Sequence, residues 1–202
     1  MRKFSVGEAL RFGTNTAWSN LPFFIAVGSI VWLIHAVPHI LNAALPPDRI
    51  DLFFIINLTG WILAVIVELG FLNIILRFAH GKKANIADLF KHYEAFFPYI
   101  FAAILYGLIV LAGLVLFIIP GIIWSLRFQF FGFLILEHDL GPIEALKRSF
   151  HITRGSTLKL LGFSLLFILI NFMGALCLLV GLLFTVPLTM LALAYIYHKL
   201  TN

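Results

Sequence analysis

Two charged residues sit in stretches that are otherwise apolar. Glu68 lies inside the run Leu52 to Leu76, and Arg127 lies inside the run Phe96 to Leu136. A carboxylate and a guanidinium can form an ion pair, pass a proton or hold a polar solute. Either one alone in hydrocarbon is costly. Glu68 is eight residues before Leu76 and Arg127 is nine before Leu136. At about 1.5 Å per residue, both lie roughly 12–14 Å from the corresponding ends of their runs. Matched depth and opposite sign predict that they approach each other, directly or through water. Such a pair either fixes helix packing or lines a solute or proton site. Asn57, Asn73, Gln129 and Asn171 are candidates for a polar interior around it. Their competing role is interhelical hydrogen bonding, worth roughly 1 kcal/mol each.

Other reactive side chains carry weaker signals. His35 and His39 have the i, i+4 spacing that can hold a metal on a helix, but Pro38 disturbs the turn between them. Only Asp48 or Asp51 could add a third ligand nearby, so no metal site is assigned. His80, His92, His138, His151 and His198 fall at the boundaries of apolar runs and are expected to be hydrated. Cys177 lies in an apolar run and is expected to pack as an inert thiol. No His, Asp or Ser cluster falls at one depth, so an enzyme is not expected and no cofactor is assigned.

The elements that must position these residues follow from composition. Of 202 residues, 62% are hydrophobic and 11% charged. A soluble domain is near 25% charged. That excludes a soluble globular domain, a disordered chain, a disulfide-built module and a nucleic-acid binder. A membrane span needs about 20 apolar residues. The runs Leu21–Leu45 and Leu52–Leu76 give one span each, separated by Pro46-Pro47-Asp48-Arg49-Ile50-Asp51. Phe96–Leu136 holds two, divided at Pro120-Gly121, and Leu160–Tyr197 holds two, broken between Gly181 and Pro187. The fourth and sixth spans are short. Trp18, Trp32, Trp61 and Trp124 include plausible interface anchors, and the many Phe residues suit lipid contact and helix packing.

Twelve of the 14 Lys and Arg residues fall on one side of these six spans, Arg2 and Lys3 among them. Arg49 alone marks the other side. By the positive-inside bias, both termini are expected in the cytoplasm. About 17 residues separate Lys3 from Leu21, so a cleaved signal peptide is not expected.

Each basic segment repeats one pattern of cap, two residues, acid, two apolar residues, base. It reads Ser5 to Arg11, Asn85 to Lys91 and Gly141 to Lys147, with Glu8, Asp88 and Glu144 as the acids. This is the chemistry of a helix start: an N-cap type, an acid at N3, and a base placed to pair with it. The expected fold is therefore all-α and polytopic. Six transmembrane helices form three repeats of an interfacial amphipathic helix plus a hairpin, in one membrane domain over residues 1–202. The units are about 5–80, 85–138 and 141–199. Arg11, Lys91, Lys147, Arg148 and Arg154 are expected to face anionic headgroups.

The third unit also resembles a known family. Gly141-Pro142-Ile143-Glu144-Ala145-Leu146-Lys147-Arg148-Ser149-Phe150 followed by Thr153-Arg154-Gly155 looks like a signature of the glycerophosphoryl diester phosphodiesterase membrane-domain family. Pro120 to Arg127 and Val186 to Thr189 with Ala194 to Tyr197 match the same pattern. The resemblance covers nearly the whole chain. It implies a bacterial inner-membrane location and the membrane region alone. The catalytic barrel to which some members are fused needs about 250 residues. The expected role is a non-enzymatic scaffold or lipid-interacting accessory protein whose partners are anionic lipids on the cytoplasmic side, with oligomerisation left open. The alternative is a small-solute or ion transporter or channel using the polar intramembrane site.

Overall fold

The computed structural model of the protein describes residues 4–46, 48–177 and 180–201. Expectations that fall on Arg2, Lys3, Pro47 and residues 178–179 lie outside the described residues. All regular structure among the described residues is helical: α1 (Val6–Ser19), α2 (Leu21–Ala43), α3 (Ile50–Ala79), α4 (Phe96–Leu116), α5 (Ile118–Phe128), α6 (Phe131–His138), α7 (Pro142–Ile152), α8 (Thr157–Leu176) and α9 (Leu182–Thr201). Two short 3-10 turns, Ile86–Phe90 and Tyr93–Ala95, lead into α4. Six segments are long and apolar enough to cross a membrane: 21–43, 50–79, 86–116, 118–138, 157–176 and 182–201.

Local chemistry sets the helix boundaries. Ser5 is extended, and its Oγ accepts the Glu8 N–H at 3.5 Å to start α1. Arg49 and Asp51 pair through two 3.1 Å hydrogen bonds at the start of α3. Pro142 opens α7, where its missing N–H costs nothing. Asp139 ends α6 in the left-handed region (φ 51°), which Asp tolerates better than most residues.

Three boundaries differ from the sequence expectation. The α4–α5 turn is at Phe117, which is extended, three residues before Pro120. Pro120 falls instead within the first turn of α5, where no intrahelical donor is required. The fourth span is two helices, broken at Gln129-Phe130. The second cap-acid-base segment is a 3-10 turn and not an amphipathic α-helix. Asn85 and Asp88 still form the reciprocal capping box there.

The chain packs densely at one end and loosely at the other. The buried residues of α3 all fall between Val65 and Leu76, and those of α9 between Pro187 and Leu200. Tyr197 is fully buried against Phe130 and Phe133. α1 runs antiparallel along α9: Phe12 stacks on Tyr195 and Trp18 meets Phe184. Between them, Gly13 lies against the Leu188 carbonyl and Ala192, where a Cβ has no room. The face of α1 with Ala9, Gly13 and Ala17 is thus buried. At the other end the hairpins α2–α3, α4–α5 and α8–α9 leave large apolar residues exposed, among them Phe54, Leu111, Val115, Phe117 and Phe172.

Candidate functional site

α3 is 30 residues long, about 45 Å, and so longer than the roughly 30 Å hydrocarbon layer. Glu68 sits eleven residues, about 16 Å, before its C-terminal end. The Tyr99 hydroxyl of α4 donates to Glu68 Oε1 at 2.9 Å. Gly132 on α6 makes room for Tyr99, because a Cβ there would lie 3.1 Å from the ring. Glu68 lines two cavities. The larger, about 460 Å³, lies between α2, α3 and α9, with Trp32, His35, Phe71 and Leu183 in its walls. The smaller, about 160 Å³, has Tyr99, Gln129, Phe131 and Met190 in its walls. Three hairpins therefore converge on one carboxylate. Tyr99 and His35 belong to this site. Sequence reasoning missed Tyr99, although a tyrosine near the start of a span is a ready donor for a carboxylate on a neighbouring helix.

Arg127 is not part of the Glu68 site, which corrects the expected pair. Among the described residues no ion pair joins Glu68 to Arg127. The Arg127 guanidinium carbon lies 3.3 Å from the Phe150 ring centroid, and Nη2 donates to the Phe150 carbonyl at 3.1 Å. The cause is the break in span four. At Gln129-Phe130 the helix ladder is interrupted, which frees backbone groups for other partners. Ser149 Oγ donates to the Arg127 carbonyl at 2.9 Å and accepts the Phe130 N–H at 3.1 Å. Thr153 Oγ1 also lies 3.2 Å from the Arg127 carbonyl. α7 is thus docked onto the break by Ser149 and Thr153, both fully buried. Equal depth along two spans did not make them an ion pair, because Arg127 is turned onto Phe150 of α7.

The remaining candidates fall into place one by one. Asn171 Nδ2 donates to Phe167 O at 2.9 Å and to Thr189 Oγ1 at 3.1 Å, which bridges α8 and α9. Asn57 bonds its own helix at Phe53 O, and Asn73 is half-buried on α3. Gln129 donates to Leu126 O beside the break and lines the smaller cavity. Arg11, Lys91, Lys147, Arg148 and Arg154 are all exposed. Lys91 pairs with Asp88 at 2.7 Å. The corresponding pairs Glu8–Arg11 and Glu144–Lys147 are not formed among the described residues. Cys177 ends α8 and is exposed, not packed in the core as expected.

Two polar clusters carry the dense end. Asp88, buried, accepts the Asn85 N–H at 2.8 Å and binds Lys91, with Arg77 of α3 at 3.6 Å. It thereby fastens the 3-10 turn to α3. His80 Nδ1 lies 2.8 Å from Leu76 O and Nε2 3.0 Å from Glu137 Oε1. Both partners are acceptors, so the His80–Glu137 pair needs two protons between them for both bonds to form. His198 stacks edge-on at 4.9 Å. The ends of α3, α6 and α9 meet at this point. These histidines are bound into the protein, not simply hydrated as expected.

Residues 46–198 match a family model described as a domain of unknown function, DUF7847. The chain belongs to that family. The match takes in α3 through most of α9, and so includes Glu68, Tyr99, the span-four break and α7. No curated protein and no solved structure matches the chain.

Proposed function

We propose that this DUF7847 member is a non-enzymatic, lipid-interacting membrane protein that uses α7 as a fixed basic platform for anionic headgroups. The observation that carries this is the division of labour on α7. Its small hydroxyl side chains dock on span four, while Lys147, Arg148, His151 and Arg154 stay exposed. Beside them is a cavity of about 310 Å³ lined by His151, Ile152, Arg154, Ser156 and Leu200. A helix held this way presents its charges at low entropic cost, which favours headgroup binding.

The three-unit reading belongs to the same proposal. It is supported by the cap at Ser5, the capping box at Asn85 and close glycine contacts in two hairpins, Gly113 with Gly121 and Gly174 with Gly181. Kinship with the glycerophosphoryl diester phosphodiesterase membrane domain rests on the motif residues, of which Ser149 and Thr153 have a structural task. The basic bias supports a bacterial inner-membrane protein with cytoplasmic termini and α7 on the cytoplasmic side.

The test is phosphatidylglycerol binding by the purified protein in mixed micelles, with phosphatidylcholine as the control. Anionic lipid should bind preferentially and weaken as salt rises. Lys147→Glu with Arg148→Glu and Arg154→Glu should abolish the preference. An unchanged preference in the triple variant would refute the platform. A second reading, a solute transporter or channel, draws on the groove at Glu68.

A further inference from the structure

We infer that Glu68 and the groove between α2, α3 and α9 form a binding site for a small lipophilic cation, reached sideways from the bilayer. The groove lies away from the α7 platform, so either site can fail without the other. Its chemistry is unbalanced. Tyr99 donates one hydrogen bond to Oε1, and among the described residues no Lys or Arg nitrogen lies within 4.0 Å of the carboxylate. Arg127, the cation that sequence depth paired with it, is committed to Phe150. A carboxylate at this depth is costly unless something neutralises it, and an intramembrane ionisable group marks a functional site by default.

The walls narrow the class of ligand. The groove offers one carboxylate and one imidazole, Glu68 and His35, among apolar and aromatic residues. An anion would meet the carboxylate. A hard divalent ion would need several more oxygen ligands than the groove has. A sugar-like solute would leave most of its hydroxyls unpaired. A cation with an apolar body meets no such objection. Its charge faces Glu68, its body lies along Val31, Ala64, Leu183 and Val186, and Trp32 and Phe71 add aromatic attraction for a cation. The volume, about 460 Å³, is in the usual range for small organic ligands of about 300–1,000 Å³. Trp32, His35 and Glu68 are all exposed, so the path from the bilayer is open.

The probe is radiolabelled tetraphenylphosphonium, equilibrated by dialysis with the full chain in lipid nanodiscs, with empty nanodiscs subtracted. Saturable binding of one cation per chain is expected, with no displacement by the neutral analogue triphenylphosphine oxide. Glu68→Gln should weaken binding by about tenfold or more. Ala64→Leu fills the groove without touching the carboxylate and should weaken it comparably. If Glu68→Gln does not give a helical, monodisperse protein, Ala64→Leu and Glu68→Asp decide, with loss expected in the first and retention in the second. No saturable binding by the wild type would overturn the inference. So would binding within about twofold of wild type in Glu68→Gln, or equal displacement by the neutral analogue.

Discussion

The packed end and the splayed hairpin ends are built from similar apolar sequence but follow different rules. At the packed end the chain has polar groups to satisfy. Asp88, Ser149, Thr153, Ser156 and Thr189 are all buried there, and most have a helix end, a break or a turn to serve. Packing around such groups must be close, because an unpaired buried group costs about 1–3 kcal/mol. At the splayed end the polar side chains are fewer, and those such as Asn57 and Thr59 bond back to their own helix. Lipid tails are as apolar as Leu or Phe, so helices gain little by pressing together. There they touch chiefly where small residues allow backbones to meet, as at Gly174 with Gly181 and Gly113 with Gly121. The difference shows where the fold is specified: at the polar end, by hydrogen bonds, and not along the lengths of the spans.

One substitution made in both regions should separate them most clearly. At Gly70 an added Cβ would collide with the Leu89 backbone, which Asp88 and its capping box hold in place. Gly70→Ala should therefore cost about 2–3 kcal/mol, as overpacking against a fixed neighbour does. The check is an SDS titration followed by far-UV circular dichroism. A cost near zero would mean that the 3-10 turn is free to lift, and the packed end would lose its defining property.

Ser149→Ala should come next, at about 1–3 kcal/mol, because it strands the Phe130 N–H in a buried break. Ser149→Thr keeps the hydroxyl and should recover part of the loss in the same titration. If alanine and threonine behave alike, α7 is held by apolar contact and the break needs no partner.

Much of the fold follows from the sequence, and the part that does not has a physical cause. Span lengths and the starts of α1 and α7 depend on local composition and capping, so Ser5 and Gly141-Pro142 mark them correctly. Asn85 to Lys91 has the same pattern but stays a single 3-10 turn, because Gly70 draws Leu89 against α3 before a second turn can form. The Glu68–Arg127 pair failed for a related reason. Depth is legible along a chain, but the direction a side chain takes around its helix depends on neighbours. Tyr99 and Phe150, 31 and 23 residues away from the charges they meet, set those directions.

Gly113→Ala is the smaller half of the glycine comparison and its more demanding test. Its Cβ would lie 2.8 Å from the Gly121 Cα and 2.7 Å from the Trp124 ring, so the local clash is real. By geometry alone it is the milder clash, since the Leu89 backbone lies closer at Gly70, but something must still give way. The surroundings differ, however. Phe117, the connection between α4 and α5, is extended and exposed, and Val115, Leu116 and Ile118 beside it face outward. The Tyr106 hydroxyl donates to the Ser125 carbonyl across these two helices, but Tyr106 is seven residues before Gly113, so the tip can open by a fraction of an ångström and lipid can take up the space. The cost should be about 1 kcal/mol or less, measured in the same SDS titration. A value as large as that of Gly70→Ala would show that the hairpin tips are packed as rigidly as the polar end. The division into two regions would then describe exposure alone, not stability.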